Sequence, residues 1–170
     1  MKKLVILSIL LATFAACNNL ENNNKQNTTT TSVVNTLNST SNILQGIAAY
    51  KQGDMIGAYN ALKNLSPSTT NLETYSTYLN VLQNLNKNQE LLTALKAGNE
   101  YFGNSKDYVL NYANILVSKF NDKNSAANVL ENYLKTNGNN NEVIKSLADI
   151  YTSAGNVAKA ASLLKEINKN

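Results

Sequence analysis

A chain of 170 residues has room for one domain, or for one domain and a processing segment, and 43% apolar content is enough for a packed core. All 15 cationic residues are lysines, spread along the chain against 11 acidic ones, and two of those lysines precede an apolar leader-like run. No basic face of the kind that neutralises phosphates is in view, which argues against nucleic acid as a partner. The chain has no His and one Cys, which removes imidazole triads, imidazole metal sites and the commonest general base, and leaves no ligand set for tightly held zinc.

The N-terminal stretch MKKLVILSILLATFAAC sets two lysines before an apolar run over residues 4–16. As a helix that run rises about 20 Å, short of a bilayer core of about 30 Å, so residues 1–16 read as a signal peptide. Its end, Phe14-Ala15-Ala16-Cys17, resembles a bacterial lipobox, in which small residues precede a cysteine that is lipidated and becomes the new N-terminus. Phe14 stands where that pattern usually has leucine. The resemblance implies a lipidated Cys17, a lasting membrane anchor and a place in the bacterial cell envelope. Asn18 rather than aspartate after the cysteine favours the periplasmic face of the outer membrane, with the cell surface as the other option. Once Cys17 is modified no disulfide can form, and packing alone must hold the fold.

Residues 17–38 are rich in Asn and Thr with few apolar positions. Such composition does not offset the entropy of ordering, so a flexible tether is expected, with a reach of about 25 Å.

From residue 39 to 170 a period emerges. Ala58, Leu91, Ala126 and Ala160 follow one another at 33, 35 and 34 residues, and upstream Gly46, Leu79, Ala113 and Ala148 keep the same phase with one insertion in the third unit. Leucines recur four residues after each anchor, and Gly53 and Gly155 occupy equivalent places. Small residues such as Gly46 and Ala58, or Ala148 and Ala160, are expected to face each other where two antiparallel helices meet. Larger residues such as Leu147, Tyr151, Leu163 and Leu164 then fill the space between pairs. Glycine at 53 and 155 suits a left-handed turn between helices. Thr70-Asn71-Leu72-Glu73 has capping-box spacing. Helices are expected near 40–51, 55–65, 71–85, 88–101, 106–119, 124–136, 141–154 and 157–168, with no strands.

This pattern resembles the tetratricopeptide repeat, a 34-residue helix–turn–helix with small residues at its eighth and twentieth places. Tyr50-Lys51-Gln52-Gly53-Asp54 looks like that family's inter-helix turn, and Pro67 lies where its units commonly end. The resemblance implies an all-α fold, a right-handed α-solenoid of about four tetratricopeptide-like helix–turn–helix units. Most units lack the family's aromatic at the fourth place, where Tyr75, Val109 and Ile144 stand, and Leu79 and Leu91 replace small residues in the second unit, which is expected to pack less tightly.

In that family the first helix of each pair lines a groove. Carried over residue by residue, the groove would hold Ile43, Ile47 and Tyr50 from the first unit, and Glu73, Ser76, Asn80, Gln83 and Asn84 from the second. The third would give Asp107, Leu110, Asn114 and Val117, and the fourth Glu142, Lys145, Asp149 and Thr152. Asn80 and Asn114 share one register, and a ladder of carboxamides could hold an extended peptide backbone. The residues that clamp two carboxylates in chaperone-binding relatives are not all present, since arginine is absent.

These features imply a membrane-anchored protein–protein interaction module that binds a protein or peptide segment. A component of an envelope assembly or secretion machine, or a surface lipoprotein contacting host factors, is the alternative. No cofactor or metal is implied, and no enzyme is expected. A hydrolase would need a convergent acidic pair, for which only Glu73, Asp107, Glu142 and Asp149 offer candidates. The last unit lacks a capping helix and is expected to expose Ile150, Val157 and Ala161, a surface through which a homodimer could form.

Overall fold

The computed structural model describes residues 26–167; the proposed signal peptide, the lipidation site Cys17 and the start of the tether lie outside them. The described chain is all-α. Helix α1 spans Gln26–Lys51, α2 Met55–Leu62, α3 Leu72–Asn84 and α4 Asn88–Phe102. Then follow α5 Lys106–Phe120, α6 Lys123–Asn137, α7 Asn141–Ser153 and α8 Val157–Ile167. No strand occurs among the described residues. From α2 onward each helix packs on its successor in the chain, and α5 also touches α7, so the elements form a sequential series of hairpins.

Two boundaries differ from expectation. A compact unit begins at Ser39, but the helix leading into it starts at Gln26 rather than near residue 40. Asn and Thr are weak helix formers, yet extending an existing helix is far easier than nucleating one, and residues 39–51 supply the nucleus. A 3₁₀ turn at Pro67–Thr69, capped by Ser66, also fills the link between α2 and α3. The start of α3 is fixed by Asn71, whose Oδ1 accepts from the Thr74 amide at 2.8 Å, and not by a capping box from Thr70.

The period has a backbone basis. Positive φ falls at Gly53 (81°), Asn86 (53°), Asn121 (51°) and Gly155 (81°), at the same 33-, 35- and 34-residue steps as the buried anchors. Each is the corner between the two helices of a hairpin, and glycine and asparagine are the residues that enter the left-handed region most readily. Past the corner an amide reaches back five residues to close a Schellman-type bond: Asp54 to Ala49 O, Lys87 to Leu82 O and Asn156 to Tyr151 O, at 2.8–2.9 Å. In the third hairpin Asp122 N–H reaches back six, to Leu116 O at 2.9 Å. The inserted residue is thus taken up in the cap of α5.

The anchors Ala58, Leu91, Ala126 and Ala160 are all buried, as are Leu79, Ala113 and Ala148. Leu79 and Leu91 reach 0% exposure, so the second unit accepts the larger residues inside its core. The backbones of α3 and α4 do approach over a shorter stretch than those of α5 and α6 or α7 and α8. The neighbour closest to Gly46 is Leu62 rather than Ala58: a Cβ on Gly46 would lie 2.5 Å from Leu62 Cγ.

A chain of aromatic rings forms the middle of the core. Tyr78, Tyr75, Phe102, Tyr108 and Tyr112 succeed one another with centroids 5.5–6.2 Å apart. Tyr75 donates to Ala94 O at 2.8 Å and Tyr108 to Leu95 O at 2.6 Å, so both buried hydroxyls are satisfied. Gly98 of α4 makes room for them, because a Cβ there would meet Tyr108 Oη at 2.4 Å and Tyr75 Cε1 at 2.6 Å. Burial first, and Tyr78 second, push the Tyr75 phenol up to about 12. Burial also carries Tyr78 to about 12, and Tyr108 further still.

Polar links join units about one period apart. Tyr59 donates to Glu90 at 2.8 Å, Lys106 to Glu142 at 2.5 Å and Asn137 to Asn104 at 3.3 Å. Lys119 reaches Gln83 O, and Lys123 reaches Ser153 O. The last two place an ammonium at the C-terminal end of a helix in a neighbouring unit, where exposed carbonyls favour cations.

Candidate functional site

The first helices of the hairpins, α1, α3, α5 and α7, carry every residue expected in the groove. On α1, Ile43, Ile47 and Tyr50 are half-buried at spacings that set them on one face. On α3, Asn80 and Gln83 are half-buried, with Glu73 and Asn84 exposed. On α5 and α7, Asp107, Asn114, Glu142, Lys145 and Asp149 are exposed.

Three of the acidic residues share a simpler local reason for their positions. Glu73, Asp107 and Glu142 each lie in the first turn of their helix, where unpaired amides and the helix dipole favour negative charge. Lys106 stands between two of them, 2.5 Å from Glu142 Oε2 and 3.7 Å from Asp107 Oδ1. Its ammonium is held above the ordinary lysine range, chiefly by the bond to Glu142.

The carboxamides at 80 and 114 differ. Asn80 Oδ1 is 3.5 Å from Gln83 Nε2, and its backbone oxygen accepts from Asn84 Nδ2 at 2.8 Å, so Asn80, Gln83 and Asn84 form a local polar set on α3. Asn114 is exposed and opens into a cleft between α5 and α7.

That cleft has a volume of about 270 Å³. Its α5 wall comprises Ala113, Asn114 and Val117, and its α7 wall Ser146, Asp149, Ile150 and Ser153. It brings together Asn114, Asp149 and Val117 of the expected groove and leaves Glu73 and Asp107 outside. Ser146, Ile150 and Ser153 were missed. Ile150 was expected on the outer face of the last unit, but it is only 8% exposed and closes the cleft floor. The apolar phase of α7, through Val143, Ile144, Leu147 and Ile150, was the available signal. At the last hairpin Val157 (62%) and Leu164 (43%) are the large apolar side chains that stay exposed.

A larger cavity, about 370 Å³, lies beside α4 and the 3₁₀ turn, lined by Leu65, Pro67, Tyr75, Tyr78 and Ala94 among others. Size alone does not make it the better site. Its rim carboxylate Glu90 is already bonded by Lys87 at 2.9 Å and Tyr59 at 2.8 Å, and those two bonds hold its carboxyl below the usual range. Lys87 also sits 4.1 Å from the Tyr59 ring centroid. Tyr151 is engaged likewise, donating to Glu131, and that bond, more than burial, raises its phenol to about 12.

Among the described residues no group of three acidic, His or Cys side chains is arranged to hold a metal, and no helix is long and apolar enough to cross a membrane. No known protein family matches the chain, and no curated protein matches it.

Proposed function

We propose that this chain is a protein–protein interaction module of the bacterial cell envelope. Four tetratricopeptide-like hairpins, stacked with a right-handed turn, are anchored to lipid through Cys17 and offer the face of α1, α3, α5 and α7 to an extended segment of a partner protein. The observation that carries this reading is the α5/α7 cleft. Polar side chains from two successive first helices converge there over an apolar floor, the mixture that orients and holds a peptide. The recurring left-handed corner and the 33- to 35-residue step support the assignment to this type of repeat.

The test is site-specific photo-crosslinking in living cells. A photoreactive residue at Asn114 should give discrete adducts to one partner, whereas the same residue at the exposed Lys96 of α4 should not. Equal labelling at the two positions, or none at Asn114, overturns the proposal. Metabolic labelling with palmitate, lost on Cys17→Ser, tests the anchor independently.

A further inference from the structure

We infer that the α5/α7 cleft is a subsite for a cationic side chain, a lysine or arginine carried by the bound segment. This rests on reading the first-helix face as a peptide platform, and it assigns the chemistry of the occupant.

Charge is the first argument. Asp149 is the one charged residue lining the cleft, and among the described residues no ammonium lies within ion-pair distance of it. Lys145, one turn earlier on α7, is exposed and makes no such pair. Two lysines near the α5/α6 corner are held by oxygens other than the Asp149 carboxylate. Lys119 is spent on Gln83 O and Asn86 Oδ1, both at 3.2 Å, and Lys123 on Ser153 O at 2.6 Å. Among the described residues, the cleft therefore holds a carboxylate that its own walls leave without a counter-ion.

Shape is the second argument. Ala113 at 0% exposure, Ile150 at 8% and the half-buried Val117 give an apolar floor that suits the methylene stem of a long basic side chain. Asn114 and Ser146 add acceptors beside the carboxylate, and a lysine ammonium or arginine fork has several donors to fill them. An acidic segment or a C-terminal carboxylate would meet Asp149 there with no cation in the lining to offset it.

The experiment uses the full chain and four fluorescent peptides of sequence Ser-Val-Ser-X-Ser-Val-Ser, with X as lysine, arginine, norleucine or glutamate, followed by anisotropy. The lysine or arginine peptide should bind about two- to fivefold more tightly than norleucine, the size expected of an ion pair with an exposed carboxylate. Glutamate should be weakest, and salt should narrow the gap. Asp149→Asn, an exposed substitution, should erase the preference; a larger gain for arginine than lysine would assign a two-pronged contact. Equal binding of norleucine and lysine, or an unchanged preference in Asp149→Asn, overturns the subsite while leaving the platform in place. If no peptide binds but crosslinks from Asn114 persist, only the subsite fails; if both are absent, the platform fails with it.

Discussion

Gly98→Ala puts the aromatic chain of the core to a direct test. In an ordinary exposed helix this change stabilises by about 1 kcal/mol, because alanine is the better helix former. Here the new methyl would lie 2.4 Å from Tyr108 Oη, 3.0 Å from Tyr108 Cζ and 2.6 Å from Tyr75 Cε1. Both rings are fixed, at 1% and 2% exposure, with hydroxyls bonded to the carbonyls of Ala94 and Leu95 in the same helix as the glycine. Crowding a packed core costs about 1–3 kcal/mol, and displacing Tyr108 leaves its bond to Leu95 unmade at about 1–3 more. Set against the propensity gain, the net loss is about 3 kcal/mol. Urea unfolding followed by circular dichroism should show the midpoint fall by about 1–1.5 M with little change in slope. Adding Tyr108→Phe removes the atom that clashes most, so the double variant should be more stable than the two single losses predict, by about 1 kcal/mol. A Gly98→Ala protein as stable as the parent, or more so, would refute the close approach of these rings.

At the corners, Asn121→Gly should be neutral or slightly stabilising in thermal melts, whereas Asn121→Val should lose about 1–2 kcal/mol, since a β-branched residue resists positive φ. Asp122 caps α6 by accepting from the Ser125 amide at 2.9 Å, so Asp122→Ala should cost about 1 kcal/mol at neutral pH. The backbone bond from Ser125, foremost, lowers the Asp122 carboxyl below its ordinary value. The parent's advantage over Asp122→Ala should hold above about pH 4 and fade as acid titrates that lowered carboxyl. In alkali the sign reverses. Tyr75 and Tyr78 are raised to about 12, above the value near 10 of an unfolded tyrosine, so their contribution is whole below pH 10 and lost towards pH 12. Phenolate absorbance for these tyrosines should rise together with loss of helix; a full tyrosine titration near pH 10 in the folded chain would contradict their burial.

Helix placement was legible because the signals are local: Asn71, Ser105 and Asn140 each accept amide hydrogens at a helix start, and Gly53 and Gly155 mark two corners. The corners at Asn86 and Asn121 were not recognised, since asparagine is common in this chain and only its backbone setting singles these two out. The aromatic chain was illegible for a different reason. It depends on Gly98 of α4 meeting rings from α3 and α5, a coincidence across helices that no single periodicity records. The long α1 escaped notice because propensity argued against it in Thr-rich sequence and propagation from the packed half prevailed. The register carried over from the repeat resemblance includes Asn114 and Asp149, which line the two walls of the α5/α7 cleft. It could not tell Glu73, Asp107 and Glu142 as ligands from the same residues placed to suit a helix start. Ile150 reads from sequence as an outer-face residue of the last hairpin, whereas α7 turns that side chain back towards α5.

The extra residue of the third hairpin, absorbed where Asp122 reaches back to Leu116, has a wider consequence. Placed inside a helix, one added residue would rotate all that follows by about 100° and swing buried side chains into water. Placed at the bend, it leaves the faces of α5 and α6 pointing as before. Length drift is therefore tolerated at the joints and penalised along the shafts, and copying errors in such a gene would be sieved accordingly, with bends free to vary while the rods between them keep their measure.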